Sequence, residues 1–334
     1  MNYKNKNVVL IMPYFFDYHN EIFNELDNNF NNVLLFNERP DNSIKTKILL
    51  KLRKNILAKK IDDYYHSILK KLNNYSIDYV LIIKGETTPK WFLQQLKKNN
   101  PSIKTILYLW DSIEYIPNYF VIKNEIDYLY SFDINDVKTY GLRHIPNFRS
   151  PKFDQNINFN IKYDMCYVGT INFDRAYIIN EILDQYKNLN FALHLYFHSK
   201  WIYLLKFIFN KEIRRIPRKY IKFSPLDQNE ILKLYKSSKI IIDIQAPNQG
   251  GLSMRPFETM KLNRKLITTN EKIKLYSFYN NKNIEVIDRE CVNINPNFIT
   301  AEYEPINEEI LNKYSLKNWI NKIFEEDYNE NYWY

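Results

Sequence analysis

The chain has 334 residues, 45% of them hydrophobic and 25% charged, the composition of an ordinary folded protein with room for about two domains of roughly 150 residues, so a miniprotein, a collagenous chain and a disordered chain are excluded. Its five glycines, Gly85, Gly141, Gly169, Gly250 and Gly251, cannot spell G-x-G-x-x-G or G-x-x-x-x-G-K-[ST], which excludes Rossmann dehydrogenases and P-loop NTPases. The formal charge of +9 points to anionic partners: nucleotides, phosphorylated lipids, membrane surfaces or nucleic acid.

Val8 to Met12 reads as an apolar strand, followed after Pro13 by a helical pattern from His19 to Leu26 with Ile22, Phe23 and Leu26 on one face. Val33 to Phe36 repeats the strand signal, Lys47 to Leu72 forms a long Lys- and Leu-rich helical region, and Tyr79 to Ile83 is a third strand. Pro89 starts the next helix, because proline is tolerated in a first turn. Thr105 to Leu109 and Tyr128 to Phe132 continue the strands. From Asn147 to Lys162 the pattern lapses into a polar stretch holding Pro151, where the domain boundary is placed.

The alternation restarts with a strand from Tyr163 to Val168, a helix from Arg175 to Tyr186, a strand from Phe191 to Phe197 and another ending near Phe223. A helix over Gln228 to Tyr235 precedes Ile240 to Ile244, apolar except for Asp243. A helix near Pro256 to Leu262, strands Lys265 to Thr268 and Ile284 to Ile287, and a last helix from Ser315 to Glu326 complete the chain. Continuous apolar strands separated by helices predict parallel sheets covered on both faces. The expected architecture is α/β, two doubly wound halves: residues 1–150, residues 151–314, and a terminal helical segment 315–334 packing back on the first half. Ligands of such sheets sit at the carboxyl ends of the strands, and the cleft between halves is the default active site.

Cys166 and Cys291 stand far apart and offer neither a disulfide framework nor a zinc knuckle, so both are expected as buried thiols in a reducing cytosol. No run of about 18 apolar residues occurs, and the apolar stretch after Lys6 is a poor match to a secretory signal.

The richest segment is Gln245 to Asn270, where an apolar strand ends in a polar Gly-Gly loop and opens into a helix. Amides at that helix start would bind a phosphate, Gly250 and Gly251 would let the backbone approach it, Arg255 would neutralise a diphosphate, and Glu258 would accept ribose hydroxyls. A Gly-Gly turn with a surface ion pair is the plainer alternative.

Together, Tyr108 to Ile113 (YLWDSI), Tyr130 to Asp133 (YSFD) with Tyr140 to Leu142 (YGL), Tyr167 to Thr170 (YVGT) and Gly251 to Asn270 resemble glycosyltransferases of the GT-B fold, particularly those of bacterial capsule, O-antigen (lipopolysaccharide) and spore-coat polysaccharide assembly. The resemblance covers most of the chain. It implies two Rossmann-like domains facing a cleft, a nucleotide sugar held by the C-terminal half and an acceptor glycan by the N-terminal half. Activity would be hexosyltransferase-type and metal-independent, with no cofactor beyond the donor substrate. Glu258 matches the family's ribose ligand. Many retaining members carry another glutamate eight positions earlier, where this chain has Gly250, so inverting and retaining chemistry stay open.

The donor side of this reading adds Gly169 and Thr170 at a strand end, Arg175 beside them, Phe223 as a nucleobase contact, and the loop Gln249, Gly250, Gly251, Leu252 and Ser253 leading to Arg255 and Glu258, with a plain strand exit at Thr170 and a core role for Phe223 as the alternatives. On the acceptor side, Lys84 and Trp110 would contact the sugar, and Asp111 or Glu86 would take the acceptor's hydroxyl proton. Asp111 is preferred, because Trp110 would supply a stacking face and partly desolvate it, with a capping Asp beside a core Trp as the plainer alternative. No D-x-D or H-E-x-x-H occurs, and His194 and His198 read as packing or surface residues rather than ligands.

Lys200 to Lys222 carries eight basic residues and one acid, Glu212, among aromatic and aliphatic residues. It reads either as an amphipathic helix on an anionic membrane or as a core-facing helix with a solvated basic rim. The expected location is cytoplasmic, with peripheral attachment to the inner face of the membrane where the first alternative holds. A nucleotide-sugar 2-epimerase-like isomerase of the same fold is the runner-up function. A nucleic-acid-binding protein ranks third, because the basic residues are spread out and no RNA-binding signature occurs.

Overall fold

The computed structural model describes residues 3–41, 43, 46, 49, 50, 54–154 and 159–325. Much of the first part of the expected 47–72 helix, positions 155–158 of the polar stretch and residues from 326 onward lie outside them. The chain divides into two compact units, one formed by residues up to Phe148 with the segment from Tyr314, the other by Arg149–Lys313.

In the first unit, strands β1 (Tyr3–Met12), β2 (Phe30–Asn37), β3 (Tyr79–Ile83), β4 (Lys104–Leu109), β5 (Tyr128–Ser131) and β6 (Arg143–His144) form one parallel sheet in the order β2-β1-β3-β4-β5-β6. Its helices are α1 (Tyr18–Asn29), α2 (Ala58–Leu72), α3 (Lys90–Asn99), the single turn α4 (Tyr119–Ile122) and α5 (Ile134–Tyr140). Every residue from Val8 to Met12 and from Val80 to Ile83 is fully buried, because a parallel strand covered on both faces has no solvent side. The helices bury one stripe each: Tyr18, Ile22 and Leu26 on α1, and Ile61, Tyr65, Ile68 and Leu72 on α2. Pro89 is the residue just before α3 rather than its first. Asp133 caps α5 by accepting from the backbone N–H of Asn135 and Asp136, and Gly141 closes it in the left-handed region at φ 67°.

In the second unit, β7 (Tyr163–Thr170), β8 (Phe191–Tyr196), β9 (Ile221–Lys222), β10 (Ser238–Asp243), β11 (Lys265–Thr268) and β12 (Ile284–Val286) form a second parallel sheet, ordered β12-β11-β10-β7-β8-β9. Its helices are α6 (Phe173–Gln185), α7 (Lys200–Phe209), α8 (Lys211–Arg215), α9 (Gln228–Lys236), α10 (Met254–Met260), α11 (Pro296–Thr300) and α12 (Glu308–Lys313). The last described helix, α13 (Leu316–Ile323), belongs to the first unit, where Trp319 lies fully buried with its ring 4.8 Å from that of Tyr108.

Two expectations change. The basic stretch 200–222 is not one helix: Asn210 ends α7 and caps α8, and the chain then passes through a 3-10 turn at Arg218–Tyr220 into β9. Only Cys166 is a buried thiol, and burial pushes it up to about 12, whereas Cys291 is exposed. Its N–H is bound by Asp288 in a surface turn.

Candidate functional site

Strand order locates the functional edge of each sheet. Where the order reverses direction, the loops leaving two adjacent strands diverge and leave room for a ligand outside their carboxyl ends. The reversal falls between β1 and β3 in the first unit and between β7 and β10 in the second.

In the first unit, β3 ends in two consecutive left-handed residues, Lys84 at φ 82° and Gly85 at φ 74°. That conformation costs lysine roughly 1–2 kcal/mol of steric strain. The turn sets Lys84 Nζ 2.7 Å from Asp111 Oδ2, at the end of β4, and 3.8 Å from Glu86 Oε2. Burial opposes the Lys84 ammonium, but Asp111, Glu86 and Glu38 outweigh it and raise its pKa above the ordinary lysine value.

Glu86 is held from the end of β2, where Arg39 donates to Glu86 Oε2 from Nε at 3.0 Å and from Nη2 at 2.5 Å. Beneath them Glu38 is fully buried: Oε1 accepts the Thr87 N–H at 3.1 Å, while Oε2 has no hydrogen-bond partner. Burial first, and the neighbouring Glu86 second, push this carboxyl up to about 7, with Lys84, the Thr87 N–H and Arg39 pulling the other way.

These placements separate the two candidate bases. Glu86 is committed to Arg39, whereas the Asp111 side chain is 48% exposed and holds a single ammonium. Of the two readings of Trp110, the core side chain is the one the structure shows. Trp110 is only 9% exposed, with its ring packed among Phe15, Tyr18, Phe148 and Trp319 at centroid distances of 5.3 to 6.5 Å. The indole offers no open stacking face, and it anchors the strand end from which Asp111 projects.

In the second unit, Asp243 is buried at the end of β10 and gathers Arg255 Nη1 at 2.6 Å, Ser253 Oγ at 3.1 Å, Gln245 Nε2 at 2.7 Å and Thr268 Oγ1 at 3.2 Å. Arg255 also donates to Tyr235 Oη at 2.9 Å and to the Val168 carbonyl at 2.6 Å, and lies over the Tyr167 ring. Burial opposes its charge, yet Tyr235, Asp243 and Tyr167 hold its pKa well above the ordinary arginine value. Nε, Nη1 and Nη2 of Arg255 thus each hold a partner inside the unit, tying β7, α9 and β10 together, so in this structure the side chain braces the site.

The Gly-Gly loop is likewise held from within. Asn270 Nδ2 donates to Gln245 Oε1 at 2.8 Å and to the Gly251 carbonyl at 3.1 Å, and Gln249 Nε2 donates to the same carbonyl at 2.9 Å. Gly250, Gly251, Leu252 and Glu258 are all buried, and Ser253 caps α10 by accepting the Arg255 N–H.

A second cation of this unit, Arg175, stands after a different strand. It sits in the first turn of the 13-residue α6, capped by Asn172, and its Nη1 donates to the carbonyl and hydroxyl of exposed Thr170 at 3.1 and 3.2 Å while its Nε has no hydrogen-bond partner. Gly169 precedes them in β7, and a Cβ there would meet the Tyr167 hydroxyl at 2.8 Å. Lys206 reaches in from α7 to the Ile171 carbonyl at 2.7 Å; burial, with Arg175 nearby, lowers its pKa. Arg289, from the loop after β12, binds Asp174 at 2.6 Å and the Gln245 carbonyl at 2.5 Å. Helix N-terminal amides with converging cations suit a phosphate group.

Phe223 is half-exposed just beyond β9, its ring edge-on to Tyr203. His194 is tied to the Ser224 carbonyl at 2.9 Å. Among the described residues no cluster of three or more His, Cys, Asp or Glu side chains has a metal-holding arrangement, and no helix is long and apolar enough to cross a membrane.

The sequence reading missed Glu38, Arg39, Asp243 and Arg289. Their shared signal is a charged residue in or just after an apolar strand, a position that points at a sheet's carboxyl edge.

No protein-family model matches the chain, and no curated protein sequence matches it. Solved structures do. Anabaena Alr3699/HepE in complex with UDP-glucose is 12% identical at a TM-score of 0.60, covering 95% of this chain and 98% of that one. A glycosyltransferase from Rickettsia africae is 12% identical at a TM-score of 0.58, with 96% and 97% covered. The UDP-GlcNAc 2-epimerase from Neisseria meningitidis bound to UDP-GlcNAc is 11% identical at a TM-score of 0.54, with 96% and 98% covered. Likeness at such identities speaks for the fold, which is the GT-B type: two successive α/β units, each with one six-stranded parallel sheet.

Proposed function

We propose that this chain is a glycosyltransferase that moves a hexosyl group from a nucleotide sugar to a growing cell-surface glycan of the capsule, O-antigen or lipopolysaccharide kind, without a metal ion. The observation that carries the reading is the contrast between the two sheet edges. One presents an accessible carboxylate, Asp111, and the other a guanidinium, Arg175, in the first turn of a helix beside exposed Thr170. An inverting transferase needs both, a base for the acceptor hydroxyl and positive charge for the departing diphosphate. The fold shared with a glycosyltransferase and with a protein crystallised with UDP-glucose supports the same reading.

In the proposed reaction the acceptor hydroxyl gives its proton to Asp111 while its oxygen bonds to the donor's anomeric carbon. The bond from that carbon to the diphosphate oxygen breaks, and the nucleoside diphosphate leaves with the electron pair. Lys84 steadies Asp111, Arg175 and the α6 amides take the leaving charge, and Thr170, Phe223, the Gln249 to Ser253 loop and Glu258 complete the donor side. Gly250 stands where many retaining members of the resembled family carry a glutamate, and the proposed reaction is an inversion with Asp111 as base. Such an enzyme would work in the cytoplasm on a lipid-linked oligosaccharide. A nucleotide-sugar 2-epimerase is the second reading, favoured by the likeness to the Neisseria epimerase.

The test is a thermal-shift panel of UDP, GDP, CMP and dTDP compounds and their sugars, since a ligand of the folded state raises Tm by mass action. One nucleotide class should shift the wild type, and Arg175→Ala should lose most of that shift at unchanged intrinsic Tm. Asp111→Asn should keep the shift and lose about 10²-fold or more of transfer. Product formed from the nucleotide sugar with no acceptor present would favour the epimerase, and silence across the panel would overturn both readings.

A further inference from the structure

Helix α7 is built inside out for a soluble surface. Trp201, Leu204, Leu205 and Ile208 recur at the i, i+3, i+4, i+7 spacing of one helix face, and every one of them is exposed, Trp201 at 73%, with Phe209 beyond them at 81%. The opposite side is what the unit uses: Tyr203 packs on Phe197 at 5.1 Å, Tyr203 meets Phe207 at 5.7 Å, and Lys206 binds the Ile171 carbonyl. Ser199 caps the helix by accepting the Ile202 N–H, which fixes where the helical face begins. Both sequence alternatives leave their mark on α7: Tyr203 and Phe207 pack on the core of the unit, while the wider apolar face looks outward.

The exposed charges of the stretch that α7 begins have one sign, apart from Arg215's carboxylate partners. Lys200, Lys211, Arg214, Arg218, Lys219 and Lys222 are exposed from the start of α7 to β9. The one acid of the stretch, Glu212, is buried and paired with Arg215 at 2.6 Å. The nearest α6 acids, Glu181 and Asp184, are also taken by Arg215.

We infer that α7 is an interfacial anchor that lays its apolar face into an anionic phospholipid bilayer surface while the basic residues of α8, the following turn and β9 hold the headgroups. The helix is about 15 Å long, too short to cross a bilayer but suited to lying in the headgroup region, with aromatic Trp201 and Phe209 at its two ends. Charge decides against a second copy of the chain as occupant, because a two-fold contact through this face would set cationic patch against cationic patch. The inference does not depend on the proposed chemistry: a failure to bind nucleotide sugars leaves it standing, and a failure to bind bilayers leaves the transferase reading standing.

Co-sedimentation of the full chain with large unilamellar vesicles tests it, comparing pure phosphatidylcholine with a mixture containing about 30% phosphatidylglycerol, at low and high salt. Binding is expected only to the anionic vesicles, weakened by salt, with a blue shift of tryptophan emission that disappears in Trp201→Phe. The triple variant Trp201→Ser, Leu205→Ser, Ile208→Ser should fall by ~10-fold or more in partitioning while keeping its Tm, since all three side chains are already exposed. Lys211→Gln with Lys219→Gln should lower partitioning by about fivefold per charge. Lys206 is left intact because of its bond to Ile171. The inference is overturned if the wild type ignores anionic vesicles at low salt, if it binds with no loss in either variant, or if lipid-free protein self-associates through this face and the triple serine variant abolishes that association.

Discussion

Arg255 Nη1 lies 2.6 Å from Oδ1 of Asp243, a fully buried carboxylate 12 residues earlier in the chain. The pair joins the end of β10 to the first turn of α10, and through the Val168 carbonyl it reaches β7. An arginine in a Gly-Gly loop motif that suggests a phosphate ligand is thus a structural cross-brace.

Removing one side of such a buried pair strands the other charge at a cost of roughly 3–5 kcal/mol. Arg255→Ala should therefore lower Tm by roughly 10 °C or more, and Arg255→Lys should recover little, because one ammonium cannot serve Asp243, Tyr235 and Val168 in the same planar geometry. Thermal melts in the absence of nucleotide check this. A variant that keeps its Tm and loses only nucleotide binding would return Arg255 to the diphosphate.

Glu38 predicts a pH dependence of stability. Its carboxyl titrates at an ordinary value of 4.5 in the unfolded chain and at about 7 in the fold. The fold therefore holds the proton more tightly, and the stability gained from that is fully present below pH 4.5 and lost as pH rises to about 7, on the order of 3 kcal/mol across the window. Glu38→Gln removes the titrating group. Urea unfolding at about pH 5 and about pH 8 should show the wild type losing stability relative to the variant, and an equal difference at both pH values would refute the assignment.

Gly85 and Gly141 share left-handed backbone, at φ 74° and 67°, but differ in surroundings. A Cβ at Gly85 would come within 2.8 Å of Leu107 Cδ1, whereas one at Gly141 meets nothing within 4 Å. Gly141→Ala should cost about 1 kcal/mol for conformation alone. Gly85→Ala should cost more, ~2–3 kcal/mol, by adding overpacking to the same strain. Urea midpoints of the two variants measure the difference, and equal costs would mean that Leu107 moves aside freely.

Local physics makes much of this protein legible in short windows of its sequence. Val8 to Met12 and Ile240 to Ile242 are apolar without alternation because they are covered on both faces, and that pattern alone implies parallel sheets. The stripes on α1 and α2 follow from helical period. The edge residues Lys84, Asp111, Thr170 and Arg175 are within reach of the same reasoning, since whatever follows a parallel strand stands at the carboxyl end of the sheet.

What the sequence does not decide is partnership across long separations. Arg255 and Arg175 look alike as basic residues in the first turns of helices, and only the pairing of β10 with β7 and the packing of α9 bring Asp243, Val168 and Tyr235 around one of them, while the other meets Thr170. Glu38 reads as a surface charge after β2 until Thr87 and Tyr65 close over it. The period of α7 shows that one face is apolar, but which face the sheet covers depends on how Ser199 launches the helix from β8. Composition and period are properties of short windows and determine the elements; burial and pairing depend on which windows meet, and that is decided only as each sheet forms.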